Sequence, residues 1–176
     1  MSPEFWPVMC VDHEAKERPA LVCPECLPVS YTDKTDRLTL LGYMRDLIGT
    51  PWEHGKRSAS SLDCVGLMLL AGEMMGWTMP TLEPYELHID GSEMQTLLET
   101  YLVAVADQED ALPGDLAWVR IRRSGVHLVA LTEVGTIIHC PYRMVNDVQT
   151  GAVEEMPLDM RWASRVLQVY RYPEFS

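Results

Sequence analysis

Apolar residues in "TDRLTLLGYMRDLI", 35–48, recur at Leu38, Leu41, Met44 and Ile48, the three-and-four spacing of one helical face. Thr35 stands at the N-cap position, and Gly49 with Pro51 closes the pattern. Residues 64–75, "CVGLMLLAGEMM", are apolar on nearly all sides, which predicts a helix buried all round and ended by Gly76. Its methionines, Met68, Met74 and Met75, read as core filler. Ser92 followed by Gln95 has capping-box spacing and opens a third helix over about 92–105. "GTPWEHGKRSASS" and residues 78–91 read as loops. After "LPGD" the period changes. "LAWVRI", "VHLVALT", "TIIHCP" and "RVLQVYRY" are short, rich in β-branched residues, and predict strands of an antiparallel sheet. Helices first and strands after make the expected class α+β.

Residues 1–34 break with this pattern. They hold Pro3, Pro7, Pro19, Pro24 and Pro28 and show no helical or strand period, so they read as an irregular N-terminal extension before a domain at 35–176. A chain of 176 residues, 47% hydrophobic and 23% charged, suits one such domain with a real core. No run of about 18 apolar residues occurs, so no membrane span is expected. "MSPEFWPVMCVDHE" lacks a basic n-region and an apolar h-region, so no secretory signal is expected either. The net charge of −12 argues against nucleic acid as a partner, and the longest basic cluster, "RIRRSG" at 120–125, reads as a hairpin turn.

Five cysteines, an odd number, argue against a secreted disulfide framework and leave metal binding, catalysis or burial. "SSLDCVGLMLL" places Cys64 in the first turn of the apolar helix. There the helix dipole favours thiolate and lowers the pKa, and free backbone N–H groups offer an oxyanion site. Burial as a small hydrophobe is the alternative. A nucleophilic cysteine needs a histidine to take its proton. His127 and His139 both lie in expected strands. A three-residue loop at 133–135 pairs Thr132 with Thr136 and Val129 with His139, which puts His127 on the same face, one diagonal step away. A two-residue loop would turn His139 to the other face. Gly135 suits the left-handed end of a three-residue loop and favours the first register. His127 is then the base and His139 orients it. His54, in the loop before Cys64, either lines the cleft or is solvated, and solvation is the favoured reading; His88 reads as a loop residue without a role, and Cys140 as core.

In the N-terminal segment Cys10, His13, Cys23 and Cys26 form C-x2-H-x9-C-x2-C. Four such ligands fit a closed, structural zinc site that could fold a segment with little core of its own. An Fe–S cluster, a Cys23–Cys26 disulfide and unligated thiols are the alternatives.

"LIGTPWEHGKRSASSLDCVGLMLL", "LPGDLAWVR" and "GVHLVALTEVGTIIHC" together resemble the NlpC/P60 peptidases, papain-like cysteine hydrolases of bacterial cell walls, over about 35–173. The closing "RWASRVLQVYRYP" resembles the tail-associated subgroup of phages and gene transfer agents. The resemblance implies helices packed on an antiparallel sheet, with Cys64 as nucleophile, His127 as base and His139 as the polar third member. Asp63 matches an acid that helps bind the substrate amine. Trp52 stands where the family often has Tyr, and its indole N–H would donate in place of the phenol. The implied activity is cleavage of peptidoglycan stem peptides beside γ-D-glutamyl and diaminopimelic residues, with no catalytic cofactor. The implied setting is a phage tail: made in the host cytoplasm, assembled with tail-tip or baseplate proteins, and acting in the periplasm or cell wall. A structural tail-tip component with a weakly active or inactive peptidase fold is the alternative. An amidase acting on other γ-glutamyl bonds is a third.

Overall fold

The computed structural model describes residues 31–82, 85, 91–121 and 125–176. The expected metal ligands Cys10, His13, Cys23 and Cys26, and also His88, lie outside the described residues.

Helix α1 (Tyr31–Asp46) starts four residues ahead of Thr35, which is therefore no N-cap; its carbonyl accepts from Thr39 Oγ1 at 2.9 Å. The buried face is also rotated from the expected one. Leu40, Leu41 and Met44 are fully buried, whereas Leu38 and Ile48 are 38% and 46% exposed. Charge sets this rotation. Arg37, only 2% exposed, donates to Asp115 Oδ1 and Asp33 Oδ1, both at 2.9 Å, and Asp115 also takes Arg171. A buried charge stays in place only when so paired. The helix ends at Asp46, and Leu47 and Ile48 donate to carbonyls three residues back.

Two short strands, β1 (Arg57–Ser58) and β2 (Ser61–Leu62), pair ahead of α2 (Cys64–Met74). Helix α2 buries Val65, Leu67, Met68 and Ala71, but Met74 is 37% exposed, so the helix is not buried all round. Its apolar composition exceeds what its neighbours cover. Gly66 has a steric reason: a Cβ there would stand 1.9 Å from the Lys56 carbonyl oxygen, so only glycine lets the preceding loop lie on the first turn.

Helix α3 (Gly91–Tyr101) begins one residue before Ser92 and stops four short of the expected end. Val103 and Ala104 instead form β3 (Val103–Ala104). Edge pairing in the sheet overrides helix continuation there. The remaining elements are β4 (Leu116–Arg120), β5 (Val126–Leu131), β6 (Thr136–His139), β7 (Arg143–Val145), β8 (Val148–Thr150), β9 (Glu154–Pro157), α4 (Met160–Ala163) and β10 (Val166–Arg171). The four expected strands are present. β1, β2, β3, β7, β8, β9 and α4 are additions that the apolar pattern does not announce. Asp159 caps α4 by accepting from the Arg161 and Trp162 N–H groups.

Six strands form one antiparallel sheet in the order β3-β10-β4-β5-β6-β9. Alternation gives it two apolar faces. Trp118, Leu128, Ala130, Ile138 and Cys140 face α1, α2 and α3. Val119, Val129, Leu131, Ile137 and Val169 form the opposite face, with Leu158 and Trp162 packed against it. The architecture is helices on an antiparallel sheet, the expected α+β class. No helix among the described residues is long and apolar enough to cross a membrane.

Candidate active site

Asp63 is the N-cap of α2. Its Oδ1 accepts the Gly66 N–H at 2.8 Å, while Oδ2 takes the Gly55 N–H at 2.7 Å and the Tyr85 hydroxyl at 2.5 Å. With 3% exposure and both oxygens engaged, it ties two loops to the start of the helix. The next residue is Cys64.

The hairpin β5–β6 has the register that the three-residue loop requires. Leu131 pairs with Ile137, Ala130 with Ile138, and the Thr132 N–H donates to Thr136 O at 3.0 Å. Gly135 sits at φ 73°. His127 and His139 consequently meet: His127 Nε2 lies 2.9 Å from His139 Nδ1, with ring centroids 5.1 Å apart. Both rings are buried, at 7% and 1% exposure.

The imidazoles rise from the sheet face opposite α2, whereas Cys64 packs with the helical layer. A break in the ladder joins the two sides. Pairing between β5 and β6 ends at Ala130–Ile138, although both strands run on to His127 and His139. Successive N–H groups of a strand alternate in direction. The Leu128 N–H therefore points toward β6, and with the ladder ended it faces the Cys64 sulfur. A cavity of about 530 Å³ opens at this split, and Cys64, His127 and His139 all line it. Among the described residues no hydrogen bond joins Cys64 Sγ to either ring, and the buried side-chain polar atoms without a partner are Trp118 Nε1 and His139 Nε2.

Electrostatics correct one expectation. Burial, then the neighbouring Asp63 carboxylate, pushes the Cys64 thiol up to about 12. The N–H groups of Leu128, Val65 and Cys64 itself pull the other way and lose. The resting group is a thiol, because desolvation outweighs the helix end. Burial, then His139, lowers His127 to about 3, so its ring is neutral. Burial also lowers His139, with Glu154 opposing.

Trp52 lines the cavity, 5.4 Å from the Tyr142 ring. His54 follows the cleft reading rather than the favoured solvated one: it lines the same cavity at 30% exposure, its Nε2 lies 2.6 Å from Tyr85 O, and its ring meets Tyr85 edge-on. Cys140 is core, 1% exposed, and its thiol donates to Leu62 O at 3.3 Å. Sequence reasoning missed Tyr85, Glu154 and Trp162. Glu154 is the cross-strand partner of His139, with Oε1 3.3 Å from His139 Nε2, and Trp162 packs edge-on against the His139 ring at 5.1 Å. The only signal for Glu154 was an acidic pair after Gly151, and its strand lacks apolar alternation.

No family model matches the sequence, and no curated protein does. Solved structures match in fold. An NlpC/P60 family protein from Bacillus cereus superposes with a TM-score of 0.56 at 22% identity, covering 77% of this chain and 40% of that one. A protein similar to a lipoprotein of the NLP/P60 family from Staphylococcus aureus gives 0.55 at 17%, covering 78% and 41%. NlpC2 from Trichomonas vaginalis gives 0.57 at 16%, covering 89% and 51%. This chain spans about half or less of the length of each. The likeness is one of fold: helices and sheet are arranged as in NlpC/P60 proteins.

Proposed function

We propose that this chain is a cysteine peptidase that hydrolyses peptidoglycan stem peptides through Cys64, His127 and His139. The observation that carries the reading is the split between β5 and β6, where a helix-start cysteine and a bonded imidazole pair share one cavity. The NlpC/P60 fold and the motifs around these residues support the substrate class.

The resting pair is a neutral thiol and a neutral imidazole. Attack therefore begins with a proton passing from Cys64 Sγ to His127 Nδ1 as sulfur bonds to the stem-peptide carbonyl. The oxyanion takes the Cys64 N–H, and the imidazolium gives its proton to the leaving amine. His127 then takes a proton from water as it opens the thioester. Trp52 and Asp63 border the substrate's approach. Mass spectrometry of muropeptides after digestion tests this: new fragments are expected from the wild type and none from Cys64→Ala. Equal cleavage by both would end the proposal.

The high thiol pKa favours a second reading, a tail-tip component with a weakly active or inactive fold. A Cys64 labelled by iodoacetamide no faster than a free thiol, together with no muropeptide cleavage, would select it. Delivery in a phage tail, beside tail-tip or baseplate proteins and toward the cell wall, belongs to the same proposal and rests on the closing segment's resemblance. Recovery of the chain in purified tails tests it. For the N-terminal set we propose zinc on Cys10, His13, Cys23 and Cys26. Elemental analysis of the full chain should read about one zinc, and a metal-free folded sample removes the site.

A further inference from the structure

His127 Nε2 and His139 Nδ1 lie at hydrogen-bonding distance, so one proton is shared between them and one nitrogen must donate. Two arrangements exist for a pair of neutral rings. In the first, His127 Nε2–H donates, His139 Nδ1 accepts, and His139 carries its own proton on Nε2. In the second, His139 Nδ1–H donates, His139 Nε2 is a bare lone pair, and His127 carries its proton on Nδ1. Only the first leaves His127 Nδ1 free to accept a proton from Cys64.

The atom that separates them is His139 Nε2. It is buried and makes no hydrogen bond of good geometry, yet it lies 3.3 Å from Glu154 Oε1. A bare lone pair there would face a carboxylate oxygen, two acceptors in a poorly solvated place. An N–H there faces an acceptor. Glu154 is held for this: it stands directly across the ladder from His139, and Arg143 pairs with the same Oε1. We propose that Glu154 is a positioning residue that selects the Nε2–H tautomer of both histidines and so keeps His127 Nδ1 open toward Cys64. His127, His139 and Glu154 then form one directed chain that ends at the carboxylate.

The proposal rests on the peptidase reading for its purpose but not for its test. Long-range proton–nitrogen correlation spectra of the full chain, near neutral pH, report which ring nitrogen of each histidine is protonated. In the wild type both rings should show the Nε2–H pattern. Glu154→Ala should lose the single pattern, with protonated Nδ1 emerging on His127. Glu154→Gln keeps an acceptor oxygen of the same shape and should restore the wild-type pattern. A wild type already carrying Nδ1–H on His127 would overturn the proposal, even if the alanine variant does not fold. An unchanged pattern in folded Glu154→Ala would overturn it too. None of these readouts needs turnover, so an inactive protein leaves the test intact. Where muropeptides are cleaved, Glu154→Ala should lower kcat by about tenfold or more with KM unchanged, because a wrong tautomer disables such relays. A rise in KM alone would contradict the assignment.

Discussion

The two ends of the β5–β6 pair are built in opposite ways. At the turn the ladder is closed. Thr132 and Thr136 bond through backbone and hydroxyl groups, Thr136 Oγ1 reaches Glu155 at 2.5 Å, and Arg45 holds Glu155 and Glu133 from α1. At the far end pairing stops after Ala130–Ile138, the Leu128 N–H faces a sulfur, and the buried His139 Nε2 has no hydrogen-bond partner among the described residues. The same two strands thus make a fixed corner and an open slot. The site arises from withdrawn pairing, since polar groups that a continued ladder would have satisfied become available to a substrate.

Substitutions at the two ends should separate stability from chemistry. The largest effect is expected at the slot: Cys64→Ala should abolish cleavage of purified sacculi while circular dichroism and Tm stay near wild type. Unfolding by the same change would erase the distinction. At the closed end, Ile137 is fully buried. Ile137→Ala should cost about 2–5 kcal/mol in urea unfolding by emptying core volume.

Acid reads the slot through stability. His127 is held near 3 against an ordinary value of about 6.5, so below pH 6.5 the unfolded chain takes a proton that the fold refuses. The contribution is fully present above that value and should fall by about 1.4 kcal/mol per pH unit down toward pH 3. His127→Gln should flatten this part of the pH profile; an equally steep profile would mean that the ring is hydrated. Smallest is Thr136→Val at the turn, worth about 1 kcal/mol of lost hydrogen bonding. It should leave the cleavage rate unchanged, and a matching loss of activity would show the two ends to be coupled.

The closed end was legible in the chain and the slot only partly so. Gly135 has a local conformational need, and the period of two then fixed which residues share a face, so the register and the meeting of His127 with His139 followed. Cys64 was placed at its helix start for the same local reason. Its titration was misjudged because the helix end is a local effect, while desolvation comes from the sheet packed against it. The rotation of α1 depends on Arg37 finding Asp115, which lies 78 residues away in the chain, and no periodicity encodes that meeting. Glu154 and Tyr85 escaped likewise, and His54 was weighed for the cleft but read as solvated. They lie in a half-buried edge strand and in loops, where apolar alternation carries no signal, and only the folded chain brings them to the cavity.

The central claim is that the Cys64 thiol gives its proton to His127. The rate of Cys64 alkylation by iodoacetamide at pH 7, in wild type and in His127→Gln, tests it most directly. The account predicts that the variant reacts at least about tenfold more slowly, since a thiol held at about 12 needs that base. Equal rates in the two proteins would contradict it.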